Sequence, residues 1–339
     1  MTRPTIGRVA PGLRRTIGSP APDQEPATAR IAVDLLGGDH APAVVVDGAL
    51  RAFQDDPSLH LLLVGPPEAA DAILAAVDPA EHARLVRLAV PATHPEDQDQ
   101  DQAGAGVRAA VRAVAQGQAD AAVSAGNTID IVLSAARILG RWPGVRRFAL
   151  TAALPTAAGR LVLLDVGSSV DTDPDTLVMH ARLGAAYAAV VHEVAEPRVG
   201  LLTIGTEKGK GDRLRRALPP LLETAELPAG ARYVGLIEGN DVVSGEPADV
   251  VVTDGFTGNI LLKGLETAYS RLGLPGAGAL EVPRAALLLG VGGTVVVCHG
   301  AASGPDLAAG IALAAHLHRR AAVAAMVEMI PHNEVSHDG

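Results

Sequence analysis

The strongest constraint on this chain is a succession of short apolar runs with little polar alternation, separated by Ala- and Leu-rich stretches of helix length. The runs are Ile31–Asp34, His60–Gly65, Arg84–Val90, Ala119–Ser124, Phe148–Ala152, Leu161–Asp165, Val199–Ile204, Tyr233–Ile237, Ala248–Thr253 and Thr294–Cys298. Between them, Pro42–Gln54, Pro67–Val77, Gly106–Ala115, Thr128–Leu139, Pro174–Val194, Asp212–Thr224, Gly258–Ser270 and Pro305–Met329 read as helices. A strand wetted on one face alternates polar and apolar residues. A run without alternation is covered on both faces, which predicts a mostly parallel, doubly wound α/β architecture. In such folds a ligand sits beyond the C-terminal strand ends, where helix N-termini present backbone N–H groups.

Residues 1–29 are rich in Pro, Arg, Gly and Thr without apolar periodicity and read as a flexible extension, with the domain spanning 30–330 and a short tail at 331–339. The first thirty residues, with five arginines and no apolar core, do not read as a signal peptide, and the apolar stretch Ala285–Cys298 reads as too short and Gly-rich to cross a bilayer. The net charge of −10 argues against nucleic acid as a partner. A single cysteine, Cys298, excludes a disulfide framework and a Cys-rich metal site and fits a reducing cytoplasm; within its apolar run it reads as core. The chain is a cytoplasmic globular protein on this reading.

Lysine is nearly absent: only Lys208, Lys210 and Lys263 occur, all in or beside glycine-rich loops. After the first run come Gly37, Gly38, Asp39 and His40, with Pro42 placed to open a helix. The glycines permit close approach of an anion, and Asp39 and His40 can orient substrate or move a proton. A tight turn is the plainer reading. Ser124-Ala125-Gly126-Asn127-Thr128 offers neutral hydrogen bonds at another strand end. Asp165-Val166-Gly167-Ser168-Ser169 repeats that design, and Asp173 reads as a helix cap. The loop Gly205-Thr206-Glu207-Lys208-Gly209-Lys210-Gly211 sets two lysines among free backbone N–H groups, a phosphate-binding design without the P-loop spacing. Arg213, Arg215 and Arg216 follow as a basic helix start that suits an acidic partner or is simply solvated. Last, Asp254-Gly255-Phe256-Thr257-Gly258-Asn259 leads to Lys263 one turn on, and His299-Gly300 follow the final run. No nucleophile elbow, zinc-protease helix or dinucleotide fingerprint occurs.

Taken in order, these loops resemble the PlsX family, phosphate acyltransferases that convert acyl-acyl carrier protein and inorganic phosphate to acyl phosphate. The resemblance is collinear from Arg30 to about Ala315: Val33-Asp34 with Gly37–Pro42, Val123–Thr128, Leu164–Gly167, Arg198–Glu207 with Lys210-Gly211, Glu238-Gly239, Asp254–Asn259, Leu288–Val291 and His299-Gly300. It implies a three-layer α/β/α fold like the isocitrate and isopropylmalate dehydrogenases, a homodimer, peripheral membrane contact and a place in phospholipid synthesis, with no cofactor and no metal. The chain departs from the family pattern at several places. The acidic run Glu96–Gln102 stands where a basic, Ser-rich segment is usual; Ser168-Ser169 and Ile129 replace the usual residues; and only Arg271–Ala286 fills the place of a long helical insertion.

Under this resemblance phosphate is the nucleophile, so no Ser or Cys elbow is needed. Lys210 and Lys208, with the Gly209 and Gly211 backbone and Glu207 nearby, are expected to hold phosphate. Asn127, Thr128 and Asn259 polarise the thioester carbonyl or hold phosphate oxygens. Asp254 or Asp39 takes a proton, and His40 or His299 serves the leaving thiolate. Gly37, Gly38, Gly126, Asp165, Gly167, Gly255, Thr257, Gly258 and Lys263 complete the expected site, and Arg213, Arg215 and Arg216 dock the carrier protein. The rival readings are a nicotinamide-linked hydroxyacid dehydrogenase, a paralogue using acyl-CoA or a dedicated carrier, and a non-catalytic acyl-carrier binding protein.

Overall fold

The computed structural model describes residues 27–90, 104–207, 209–272 and 285–331. Glu96–Gln102, Lys208, most of the expected N-terminal extension and most of the tail lie outside them. The elements are β1 (Ala29–Asp34), α1 (Ala43–Asp55), β2 (Leu59–Gly65), α2 (Pro67–Ala76), β3 (Leu85–Ala89), α3 (Ala105–Ala115), β4 (Ala121–Ser124), α4 (Thr128–Ile138), β5 (Ala149–Thr156), β6 (Gly159–Leu164), α5 (Pro174–Val191), β7 (Arg198–Leu202), α6 (Arg213–Ala217), α7 (Pro219–Thr224), β8 (Arg232–Ile237), α8 (Gly239–Ser244), β9 (Val250–Val252), α9 (Gly255–Leu272), β10 (Ala285–Leu289), β11 (Thr294–Cys298), α10 (Gly304–Arg319) and α11 (Ala322–Met329).

Every strand joins one sheet in the order β3-β2-β1-β4-β11-β10-β5-β6-β9-β7-β8. Two cores lie on its two faces. Ile31, Val33, Leu61 and Leu63 point into the core beneath α1, α5 and α10, whereas their neighbours Ala32, Leu62 and Val64 point into the core beneath α3 and α4. Strands that are apolar on both faces therefore do what their sequence implies, and the expected three-layer α/β/α arrangement is present.

The sheet is parallel in two blocks, β3-β2-β1-β4-β11 and β6-β9-β7-β8. Between them the pairs β11/β10, β10/β5 and β5/β6 are antiparallel. Three reversals turn the second block over, so its C-terminal strand ends leave the opposite edge of the sheet. The sequence reading had no strand at Ala285–Leu289; the apolar stretch is a hairpin, folded back at Gly290 (φ 95°) ahead of Gly292-Gly293. Other boundaries differ for local reasons. The expected helix 212–224 is two short helices because Pro219 and Pro220 cannot continue the hydrogen-bond ladder. The last expected helix breaks at Ala321, which holds φ 49°.

Candidate active site

A cleft of about 580 Å³ opens where the C-terminal ends of β1, β4 and β11 meet. Its floor is organised by Asp34, the last residue of β1, whose side chain is only 3% exposed. Ser124 Oγ, at the end of β4, donates to Asp34 Oδ2 at 2.7 Å, and the Leu36 N–H donates to Oδ1 at 3.1 Å. The Gly126 N–H in turn donates to Ser124 Oγ at 3.0 Å. Burial pushes the Asp34 carboxyl up, against the pull of the Ser124 and backbone hydrogen bonds. The glycines around it leave no room for a side chain: a Cβ on Gly106 would sit 2.0 Å from Asp34 Oδ1, and one on Gly37 would sit 2.7 Å from the Gly126 nitrogen. Gly38, at φ 113°, turns the chain so that the Asp39 N–H bonds the Gly300 carbonyl at 2.7 Å, tying the loop after β1 to the loop after β11.

Two helices begin on the cleft wall. Helix α3 starts after Gly104, in the left-handed region at φ 73°, with no side-chain cap, so its first N–H groups keep their bonding capacity for a ligand. Helix α4 is capped by Asn127, whose Oδ1 accepts the Ile129 N–H at 2.8 Å. That leaves Nδ2 as the donor Asn127 can offer. Helix α9 begins at the opposite edge of the sheet and passes over the antiparallel strands, which brings Asn259 and Lys263, one turn apart, to the cleft. Asn259 Nδ2 donates to the Val166 carbonyl at 3.0 Å, fixing the side chain. Lys263 makes no ion pair with any described residue. His299 Nδ1 accepts the Ala301 N–H at 3.2 Å, so in the neutral ring the proton is on Nε2. Burial, followed by the nearby Lys263 charge, holds the His299 pKa below its ordinary value.

Of the expected site residues, the cleft gathers Gly37, Gly38, Asp39, Gly126, Asn127, Thr128, Asn259, Lys263 and His299. His40 is exposed but does not line it. Asp165 is wholly buried, its two oxygens taken by the N–H groups of Leu150, Gly167, Ser168 and Ser169 and by both serine hydroxyls, so it holds its turn and cannot touch substrate. Gly167, Gly255 and Gly258 are tight contacts of that turn: a Cβ on Gly258 would lie 2.0 Å from the Asp165 carbonyl oxygen, one on Gly255 2.4 Å from that of Ser169, and one on Gly167 3.0 Å from Asn259 Nδ2.

The lysine-bearing loop is elsewhere. It leaves β7, in the overturned block, and borders a separate, largely apolar hollow of about 480 Å³ lined by Leu202, Thr203, Ile204, Gly211, Arg215, Phe256, Thr257 and Ile260. Lys210 Nζ stands 3.7 Å from Glu207, and neither they nor Gly209 and Gly211 reach the cleft. Asp254 and Arg215 correct two further expectations. Arg215 is 8% exposed and bonds Asp254 Oδ2, Thr253 Oγ1 and Asp212 Oδ2, so it is no docking residue. Asp254 also accepts from the Thr257 N–H and hydroxyl at 2.9 and 2.8 Å. Burial alone would push its carboxyl up, but the Thr257 and Arg215 bonds hold it below the ordinary value, a carboxylate locked as an anion. Arg213 and Arg216 remain exposed.

Sequence reasoning missed Asp34 and the Gly104–Gly106 helix start as site builders. The signals were there: a carboxylate closing a buried strand, and two glycines spaced to open an amphipathic helix. No group of three or more His, Cys, Asp or Glu is placed to hold a metal ion among the described residues.

A mostly parallel α/β sheet with helices on both faces, and a cleft where strand ends meet helix N-termini, defines the fold class. In fold, the chain is similar to EutD phosphotransacetylase from Staphylococcus aureus (TM-score 0.57, 18% identity, 88% of this chain and 94% of that one) and to 4-hydroxythreonine-4-phosphate dehydrogenase from Klebsiella pneumoniae (TM-score 0.52, 14% identity, 88% and 99%). The family described as "Fatty acid synthesis protein" matches residues 29–273. A phosphate acyltransferase of Thermobifida fusca is 39% identical over 338 residues, covering 89% of this chain and 91% of that protein. The chain belongs to this family, the PlsX-type phosphate acyltransferases.

Proposed function

We propose that the cleft transfers an acyl group from a thioester to inorganic phosphate. The observation that carries this reading is the convergence of two helix N-termini and Lys263 on one cavity of an acidic protein. Phosphate lies against the first N–H groups of α3 and α4 and against Lys263. Asn127 Nδ2, the Thr128 hydroxyl and the His299 Nε2–H face the thioester carbonyl, whose oxygen gains negative charge as a phosphate oxygen attacks. The new O–C bond forms, the C–S bond breaks and a thiolate leaves. The phosphate dianion offers an unprotonated oxygen, so the attack needs no general base. His299, held neutral, is a hydrogen-bond donor to that oxyanion. Acyl-acyl carrier protein is the donor we favour, and the acyl phosphate product would feed phospholipid synthesis in the cytoplasm; Arg213 and Arg216, at the start of α6 beyond the overturned β7, lie outside the cleft the thioester must reach. A homodimer and peripheral membrane contact belong to the same reading.

The test is phosphate-dependent thiol release from acyl-acyl carrier protein and from the matching acyl-CoA, in the wild type, Lys263→Ala and Lys210→Ala. Losing a charge-assisted bond to phosphate costs about 1.5–3 kcal/mol, so Lys263→Ala should raise the phosphate KM by at least about tenfold. Lys210→Ala should leave that KM within about threefold, as befits a side chain outside the cleft. Collapse in Lys210→Ala with Lys263→Ala spared would move the phosphate site to the other edge of the sheet, and no release from either donor would end the proposal.

A further inference from the structure

The cleft carries a carboxylate that the transfer step does not use. Asp130 stands in the first turn of α4 and lines the cleft, half-buried. It is set against the start of α3: a Cβ on Gly104 would lie 3.0 Å from Asp130 Cβ and 3.3 Å from its Cγ. The carboxylate therefore sits where two helix N-termini converge, and it takes no hydrogen bond or ion pair from any described residue. Neither of the other cleft carboxyls shares that position. Asp34 is held at the floor by Ser124 and the Leu36 N–H, and Asp39 is exposed and set against Gly300 on the loop after β11.

A group that only accepts hydrogen bonds, placed in an anion site, favours an anion that still carries a proton. The hydrogen phosphate dianion keeps one P–OH beside its unprotonated oxygens. Sulfate has the same charge and tetrahedral shape but no O–H. We propose that Asp130 accepts the P–OH of the bound phosphate and so makes the cleft select phosphate over sulfate and other unprotonated dianions. The bond from a hydroxyl to a carboxylate is of the short, charge-assisted kind, whereas sulfate sets two acceptors face to face with no proton between them. The same contact orients the nucleophile. With its hydroxyl on Asp130, phosphate turns its unprotonated oxygens toward the helix N–H groups, Lys263 and the thioester carbon, and the P–OH proton stays in place through the transfer. The inference rests on the acyl-transfer reading of the cleft and adds the residue that recognises the nucleophile.

The experiment measures the phosphate KM in thiol release, and the inhibition constants of sulfate and fluorophosphate against phosphate, in the wild type, Asp130→Asn and Asp130→Ala. Fluorophosphate keeps the shape and charge of hydrogen phosphate but has fluorine in place of the hydroxyl. A charge-assisted hydrogen bond is worth about tenfold or more, so both inhibition constants should exceed the phosphate KM by at least about tenfold in the wild type. In both variants that ratio should fall to within about threefold. If Asp130→Ala fails to fold, Asp130→Asn, which keeps the shape, decides alone. An aspartate that served α4 only as a first-turn acid would lower the melting temperature when replaced and leave the ratio alone. That result, or sulfate and fluorophosphate inhibiting the wild type at concentrations near the phosphate KM, overturns the proposal, while phosphate-dependent release leaves the cleft reading intact. If no thioester is turned over, the cleft reading falls and thermal shifts with phosphate, sulfate and fluorophosphate judge Asp130: the same order, lost in Asp130→Asn, supports it, and no order refutes it.

Discussion

Gly106→Ala tests whether the site is organised around Asp34. Gly106 is the second residue of α3, where alanine is intrinsically the better helix former by about 1 kcal/mol. Propensity alone predicts stabilisation. Against it stands a Cβ placed 2.0 Å from Asp34 Oδ1, where ordinary contact begins at 3.4 Å. The carboxylate cannot step aside freely, because it is 3% exposed and held by Ser124 and the Leu36 N–H. Overpacking costs about 1–3 kcal/mol and a lost hydrogen bond to the charged acceptor about 1.5–3 kcal/mol. The clash wins, and the net destabilisation is about 1.5–5 kcal/mol once the propensity gain is subtracted. At about 2–4 °C per kcal/mol the midpoint should fall by about 3–20 °C. The control is Gly264→Ala in α9, where an added Cβ meets nothing within 4 Å and the full propensity gain should appear. Thermal and urea unfolding of both variants read the outcome, and thiol release from Gly106→Ala should fall as the Leu36–Asp39 loop shifts. A Gly106→Ala protein as stable as Gly264→Ala would refute the claim that Asp34 is pinned.

Three further outcomes follow from the same geometry. Arg215→Ala leaves the Asp254 anion buried without its partner and should cost about 3–5 kcal/mol in urea unfolding; in the wild type this contribution is present above the ordinary carboxylate pKa and is lost as pH falls through the depressed folded value, so the variant should show a flatter acid limb. Cys298 is 3% exposed, and burial pushes its thiol up to about 12, so iodoacetamide at mildly alkaline pH should alkylate it at least about a hundredfold more slowly in the native protein than in urea; equal rates would show that the strand end is open. Removing the Lys263 charge with Lys263→Met should raise the His299 pKa toward its ordinary value, read from the imidazole proton shift by NMR, and an unmoved titration would mean the two side chains do not share the cleft.

The layering was readable because burial on both faces leaves a mark on every strand residue: Ile31 and Ala32 must both be apolar if one faces α1 and the other α3. The cleft's glycines and asparagines were readable too, since turns that approach an anion favour those residue types. What could not be read was how many turns served substrate. Asp34 ends β1 and Asp165 directly follows β6, yet Asp165 spends its acceptors on its own turn and on the Leu150 N–H of the adjacent β5, while Asp34 joins the loop after β1 to the end of β4. The difference lies in which strand is the neighbour, and local sequence does not carry that. Asp254 likewise passes for a base until Arg215, a residue of another element, is seen to close on it.

The lysines show where strand direction becomes function. Read along the chain, Lys208 and Lys210 in a glycine-rich strand-to-helix loop outrank Lys263 on the flank of a helix. That ranking assumes every strand presents its C-terminal end to the same edge. It fails because β5 and β6, which read as two further members of the parallel run, form an antiparallel hairpin; β10 reverses direction against both β11 and β5, so its two reversals cancel and the β5/β6 reversal alone overturns the second block. The loop after β7 is thereby turned away from the ends of β1, β4 and β11. Helix α9 undoes the separation for its own residues only: it starts on the far edge and crosses the sheet, so Phe256 and Ile260 border the hollow beside Lys210's loop while Asn259 and Lys263 reach the cleft. Under the proposed reading, a cation that acts at the first edge while its strand ends at the second has to be carried there by a helix, and among the described residues Lys263 is the lysine placed on one.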